Sequence, residues 1–228
     1  MNLCVIPARG GSKRIPRKNI REFCGKPIIA WSIEAALASD CFDLVIVSTD
    51  DDEIAAVARQ WGADVPFMRP MKLADDYAGT LSVIGHATEW VLCEYPALEA
   101  VCCLYPTAPL VEAVDIRRGR DVLEQGDWEY CFTATEFSAP IFRGFTESGN
   151  GGIEMVFPEH FETRSQDLPV VLHDAGQFYW GRPQAWRKER PLFGSNSCPL
   201  RLPNWRVSDI DNENDWRRTE LIAEVLWR

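Results

Sequence analysis

Several signatures are missing from this 228-residue chain, and each absence closes off a class of function. No apolar run approaches the roughly 18 residues of a membrane span, and no charged-then-apolar leader opens it. A cytoplasmic protein with no membrane partner is therefore expected. Cations are the minority, with 24 Lys and Arg against 34 Asp and Glu, for a net charge of -10. That balance argues against a nucleic-acid partner, which would need a basic face. Histidine occurs three times, and none of the three has zinc-like spacing with the eight cysteines. No C-x-x-C pair exists, and Cys4, Cys102 and Cys131 fall inside apolar runs, as buried free thiols do. Nothing in the sequence sets a base beside a cysteine. Neither the G-x-x-x-x-G-K-[ST] loop nor the G-x-G-x-x-G fingerprint is present, which removes two well-known phosphate-binding designs. No internal repeat, low-complexity tract or disordered linker interrupts the chain.

What is there is an alternation. With 46% apolar and 25% charged residues the chain can fill the core of one large domain, or of one domain with a modest insertion. Apolar runs at 3–6, 43–48, 65–68, 101–104 and 130–135 read as strands buried on both faces. Between them, 27–37, 54–61, 81–93 and 114–123 carry helical spacing, with Pro27 placed for a first turn. Strand and helix in turn predict an α/β fold, a doubly wound and mostly parallel sheet with helices on both faces. Asp50, Asp51, Asp52 and Glu53 resemble a metal cluster at first sight, but acidic residues at a helix start are better read as cap and dipole partners.

The pattern breaks after Glu136. Segments 140–145 and 153–157 read as two strands around Ser148-Gly149-Asn150-Gly151-Gly152, a hairpin signal. No clear period covers 158–169. A strand is expected over 170–180, irregular chain over 186–199, a last short strand over 205–210 and a closing helix over 212–227. Trp216, Leu221, Val225 and Trp227 are available to pack that helix.

The chain is organised around Pro7-Ala8-Arg9-Gly10-Gly11-Ser12-Lys13-Arg14-Ile15-Pro16-Arg17-Lys18-Asn19. Five cations between Arg9 and Lys18 stand out in so acidic a protein. Small residues let the backbone approach an anion, and free N–H groups then face it. The loop follows the first strand, at the sheet edge where open α/β sheets bind ligands. A polyanionic small molecule is the expected ligand. Near the other end, Asp209 and Asp211 stand two apart on the expected last strand, which puts both carboxylates on one face. That spacing suits a hard cation; Asp211 as a mere cap for the final helix is the competing reading.

The string from Ile6 to Asn19 closely resembles the N-terminal signature of the CMP-sugar synthetases, the cytidylyltransferases that activate nine-carbon acidic sugars. The likeness runs along nearly the whole chain. It implies a fold like that of the nucleotide-diphospho-sugar transferases, with 1–228 as a single cytidylyltransferase domain. It also implies that 140–169 is a small β-rich arm pairing two subunits of a homodimer, with Arg164 and Gln166 reaching the partner's active site. Arg9 and Lys18 match the family's triphosphate-binding residues, and Asn19 closes that motif. Ala8, Gly10 and Gly11 belong to the same loop, and Ser12, Lys13 and Arg14 are further phosphate contacts. Arg17 reads equally as a contact or as a solvated charge.

The resemblance continues downstream. In related enzymes the region from Arg69 through Asp75, Asp76, Thr80 and Ser82 holds cytosine, with Thr80 and Ser82 as candidates to read the base; Thr80 reads equally as a cap for the following helix. The string Leu104-Tyr105-Pro106-Thr107-Ala108-Pro109-Leu110-Val111 is similar to L-Q-P-T-S-P-L-R of the sialic acid enzymes. Tyr105 stands in place of the sugar-contacting Gln, and Val111 in place of Arg. These departures point away from sialic acid. His173-Asp174-Ala175-Gly176-Gln177-Phe178-Tyr179-Trp180 looks like the H-D-A-G-Q-F-Y-W string of the pseudaminic acid branch. There, Gln177 and Tyr179 would line a sugar pocket while Phe178 and Trp180 pack. The family's D-x-D matches Asp209 and Asp211, implying Mg2+. The implied reaction joins CTP to a nonulosonic acid, most closely pseudaminic acid, for surface glycan or flagellin glycosylation. Sialic, legionaminic or 3-deoxy-manno-octulosonic acid are the alternative sugars, and a non-catalytic nucleotide binder on the same fold is the alternative function.

Overall fold

The computed structural model describes every residue except Asp76 and Arg228. The chain begins with β1 (Asn2–Pro7), the basic loop, a two-residue ribbon of β2 (Glu22–Phe23) and β3 (Lys26–Pro27), and α1 (Ile28–Ala38). β4 (Leu44–Ser48), α2 (Asp52–Gln60), α3 (Thr80–Glu94), β5 (Ala100–Leu104), α4 (Ala113–Gln125) and β6 (Tyr130–Glu136) follow. The second half holds β7 (Phe145–Glu147), β8 (Ile153–Met155), β9 (Leu172–Gly181), α5 (Pro183–Arg187), β10 (Ser197–Arg201) and α6 (Glu213–Leu226).

Six strands form the main sheet in the order β10-β6-β9-β5-β1-β4. All are mutually parallel except β9, which runs against both β5 and β6. Each face is covered, and the strand period decides which residues go where. Cys4 and Ile6 of β1 face the core built with Ile29 and Ile33 of α1, Ala55 and Ala58 of α2, and Ile116 and Leu123 of α4. Leu3 and Val5 face the opposite core, with Ile84, Ala87 and Val91 of α3 and Trp186 of α5. Helices on both faces of a mostly parallel sheet make the α/β class expected. The buried thiols behave as small apolar groups; burial pushes Cys131 up to about 12.

Four boundaries differ from expectation. The segment 65–68 makes no strand, only isolated bridges from Asp64 to Ile46 and from Met68 to Thr49. The stretch 140–145 starts as a 3-10 turn, Ile141–Arg143, and the hairpin begins later, with Phe145 opposite Met155. The supposedly irregular 186–199 contains the start of β10. That strand includes Pro199, which an edge position tolerates because no partner needs its missing N–H. Finally, 205–210 is not a strand: a 3-10 turn, Asn204–Arg206, leads into chain with no strand partner among the described residues.

The closing helix starts at a capping box. Asn212 accepts from the amides of Asn214 and Asp215, and Asp215 returns a bond to the Asn212 amide. Of the four side chains expected to pack it, only Trp216 is buried, and Trp227, just past the helix end, stacks on Trp31 at 3.9 Å between ring centroids. Leu221 and Val225 face outward.

Candidate active site

A cleft of about 440 Å³ opens at the carboxyl edge of the sheet. It lies where β1 has β4 on one side and β5 on the other, the switch point at which doubly wound sheets bind ligands. Arg9, Ser12, Lys13, Arg14, Lys18 and Asn19 of the basic loop line it. Arg69, Thr80, Tyr105 and Thr107 complete the wall with Pro7, Ala78, Val83 and Pro106. Five cationic side chains thus converge on one cavity of a net-negative protein.

The loop is held by its own neighbourhood. The amide of Ala8 donates to Ser48 at 2.9 Å, and the Asn19 side chain donates to the Arg9 carbonyl at 2.9 Å. The Gly10 amide donates to Asp50 Oδ1 at 3.0 Å. A Cβ on Gly10 would lie 2.7 Å from Asp51 Oδ2, so glycine is needed for this close approach. Arg17 takes the left-handed conformation, φ 55°, and forks onto Asp51 at 2.5 and 3.0 Å while also bonding Glu53. Asp51 in turn caps α2, accepting from Glu53 and Ile54 at 3.0 Å each. Arg17 therefore clamps the loop to a helix start, and the acidic run at 50–53 serves caps and loop contacts.

Arg69 is buried at the cleft floor. Its Nε donates to Ser48 Oγ at 3.1 Å, and its Nη2 bonds the Ser48 carbonyl. Burial first, with Arg9 adding like charge, pulls its pKa down to about 10. Arg9 donates to the Asp75 carbonyl at 2.9 Å, joining the basic loop to the segment before α3. Asp76, in that segment, lies outside the described residues. Thr80 does not cap α3, since Gly79 holds that position without a side-chain bond. Its hydroxyl instead lies 3.2 Å from that of Tyr105, inside the cleft. Ser82 turns back onto the Gly79 carbonyl at 2.9 Å and is not part of the wall.

The β9 residues behave differently from the expected single pocket. Phe178 and Trp180 enter one core and Tyr179 the other, as strand alternation requires. Tyr179 is buried, its ring 5.3 Å from that of Tyr105, and its hydroxyl donates to Asp174 Oδ2 at 2.5 Å. Gln177 is buried too, but its amide reaches the Arg206 carbonyl at 3.2 Å and does not line the cleft. His173 and Asp174 line a neighbouring apolar hollow of about 400 Å³ with Phe132, Leu172 and Phe193. The cause is a large bulge: Thr133 alone faces the stretch from Ala175 to Phe178, and Gly176 there has φ +63°. Arg164 and Gln166 are exposed on the arm and touch neither cavity.

Asp209 and Asp211 stand across from the basic loop. Lys18 Nζ donates to the Ile210 carbonyl at 2.7 Å, and Arg14 pairs with Asp211 at 2.8 Å. Although the segment has no strand partner, burial still alternates: Arg206, Ser208 and Ile210 point inward while Asp209 and Asp211 face the other way. The shared face survives without the ladder. Partial burial, then the like charge of Asp211, pushes the Asp209 carboxyl above the usual carboxylate range; Asp174 adds to the push and Lys18 opposes it. That repulsion is what a bound divalent cation would relieve, so the pair fits one. Asp211 does not cap α6, a task already met by Asn212. Burial lowers the Lys18 pKa, while Asp211 and Asp209 hold it up.

Sequence reasoning did not find Arg206, Asp115 or Ser48 beneath this site. No local pattern marks them, because each acts through a residue far away in the chain.

A family model described as cytidylyltransferase matches residues 3–195. The chain belongs to the cytidylyltransferase family. A pseudaminic acid cytidylyltransferase of Campylobacter jejuni is 44% identical over 224 residues, 98% of this chain and 97% of that protein. A CMP-N,N'-diacetyllegionaminic acid synthase of Legionella pneumophila is 34% identical, over 98% of this chain and 96% of its own length. Among solved structures, a CMP:2-keto-3-deoxy-manno-octonic acid synthetase complexed with CTP superposes with a TM-score of 0.72 at 16% identity, covering 99% of both chains. At that identity the likeness speaks to the fold. The two chains thus share one fold from end to end.

Proposed function

We propose that this enzyme joins CTP to pseudaminic acid, forming the CMP-sugar and pyrophosphate. The observation that carries the reaction class is the cleft lined by five cations, two of which, Lys18 and Arg14, also bond the Asp209–Asp211 strap. The 44% identical relative, matched end to end, supports the choice of sugar. In this reading the anomeric hydroxyl attacks the α-phosphorus in line and pyrophosphate leaves. Arg9, Lys13, Arg14 and Lys18 hold the triphosphate and neutralise charge as the bond to pyrophosphate breaks. Arg69, fixed by Ser48, keeps a cation at the cleft floor. Thr80 and the segment before α3 bound the base end, and Tyr105 and Thr107 bound the side where the sugar enters. Mg2+, bound by Asp209, Asp211 and phosphate oxygens, would supply further charge neutralisation. Positioning and preorganised charge do most of the work.

The apolar arm supports a homodimer: Phe145, Ile153, Val156 and Phe161 are all more than half exposed on it. Arg164 and Gln166 sit on that arm and would act only across such a contact. A cytoplasmic site of action fits the small soluble substrates, and among the described residues no helix is long and apolar enough to cross a membrane. Pyrophosphate release from CTP, measured over a panel of pseudaminic, legionaminic, sialic and 3-deoxy-manno-octulosonic acids, tests the reading. Turnover highest with pseudaminic acid is expected. Preference for legionaminic acid would replace the sugar, and no release with any of them would remove the activity. Phe161→Asp should convert the dimer to monomer by light scattering.

A further inference from the structure

The strap carrying Asp209 and Asp211 has no strand ladder to fix it, yet its carboxylates need a defined place opposite the basic loop. Its inward row supplies one. Ile210 is buried against Ile15, Phe23 and Trp216. Ser208 Oγ lies 2.6 Å from Thr219 Oγ1 of α6. Arg206 adds an ion pair: its side chain is 7% exposed, and its Nη1 lies 2.6 Å from Asp115 Oδ2 and 3.1 Å from Glu112 Oε1 at the start of α4. Asp115 is 1% exposed and also takes Arg118 at 2.8 Å. The Arg206 carbonyl accepts from Gln177, whose own carbonyl accepts the Tyr105 amide at 2.9 Å from the cleft wall.

A buried ion pair is a poor device for stability, because desolvating both charges offsets most of their attraction, and an apolar pair of similar volume often serves as well. Its use here is positional: one guanidinium nitrogen held between the carboxylates of Asp115 and Glu112 restricts where the chain through Arg206 can lie. We propose that Arg206, Asp115 and Gln177 are positioning residues that hold the Asp209–Asp211 strap at the height and angle needed to engage the cation and triphosphate. The pair acts through the backbone from Val207 to Asp211 and touches no substrate. This rests on the reading of Asp209 and Asp211 as cation ligands.

The test pairs the double substitution Asp115→Leu with Arg206→Met, an apolar replacement that avoids a stranded charge, with the single Gln177→Leu, which cuts only the second tie. Three quantities are measured: melting temperature, amide hydrogen exchange over 207–211, and CTP affinity by calorimetry with Mg2+ and with chelator. The double variant should melt at or above the parent temperature and exchange faster over the strap. It should lose about tenfold in the Mg2+-dependent part of CTP affinity, the usual scale for a residue that orients a ligand, with chelator affinity unchanged. Gln177→Leu should show the same changes to a smaller degree. Unchanged strap exchange in both variants overturns the anchor. Faster exchange with the Mg2+-dependent affinity intact also overturns it, since the strap's position would then not matter to the ion. If Asp209→Asn and Asp211→Asn themselves keep the full Mg2+-dependent gain, the cation reading fails as well, and the two failures are told apart.

Discussion

The basic loop and the carboxylate strap meet through Lys18 and Arg14 and are held by different means. The loop is tied by hydrogen bonds near the surface: Asn19 to Arg9 within the loop, and Gly10 to Asp50 and Arg17 to Asp51 across to its neighbours. Its anchors sit on the neighbouring strand end and on the helix that follows, and most are half exposed. The strap is tied by side chains that run into the core, with Arg206 and Asp115 ninety-one positions apart by their numbers and both buried. A loop so held keeps its cations accessible and adjustable. A strap so held presents two carboxylates from a backbone that cannot move without breaking a buried pair. Cations in a cleft tolerate small shifts because charge acts over several ångströms, whereas metal ligation requires distances set to a few tenths.

The comparison can be broken most severely at the carboxylates. Asp209→Asn and Asp211→Asn should each lower CTP turnover by about a hundredfold or more, as loss of one preorganised electrostatic group does. Melting should barely move, because the Asn212–Asp215 capping box supports α6 on its own. Pyrophosphate release and a thermal scan read both, and full activity in both variants would turn attention to Asp50 and Asp52. Next comes Lys18→Met, which touches both regions at once. It removes the proposed phosphate contact and the bond to Ile210, so KM for CTP should rise about tenfold or more, the scale of one charged hydrogen bond.

Gly10→Ala tests how tightly the loop is seated. Its new Cβ would meet an Asp51 side chain already pinned by Arg17 and two amides, at an overpacking cost of about 1–3 kcal/mol read in denaturant unfolding. The smallest effect separates cap from clamp. Asp51→Ala should cost about 1 kcal/mol through the lost cap, whereas Asp51→Asn keeps the cap and loses only the partly exposed ion pair. The Arg17 hydrogen bond lowers the Asp51 carboxyl from 3.8 to about 2. A depressed folded-state pKa stabilises above the unfolded value and is lost as pH falls through the folded one. The gap in melting temperature between the parent and Asp51→Asn should therefore be full at pH 5 and close by pH 2.

Local chemistry made half of this site legible in advance. The basic loop is a contiguous run, so its charge, small residues and place after an apolar strand could be read together. The role of Asp51 followed from the bias of helix starts, and the common face of Asp209 and Asp211 from a period of two. That last inference outlived its premise: the segment makes no ladder, but extended backbone alternates its side chains whether or not it is paired. Thr80 and Gln177 came out differently. Thr80, which reads equally as a cleft residue and as a helix cap, lines the cleft from the first turn of α3 and leaves the cap position to Gly79, whereas Gln177 is drawn from the expected pocket to the strap by a contact that no spacing encodes.

Thus residue order alone determined the alternation of strands and helices, the polyanion loop, the cap of α2 and the pair of outward carboxylates, because each depends on neighbours within a few positions. The tertiary structure decided that β9 runs backwards, since side-chain period is the same in parallel and antiparallel strands and only the pairing partners choose between them. It made an edge strand of Ser197–Arg201 despite its proline. It also brought Arg206 onto Asp115, for a buried charge finds its partner through the packing of whole elements and leaves no mark in either residue's local sequence.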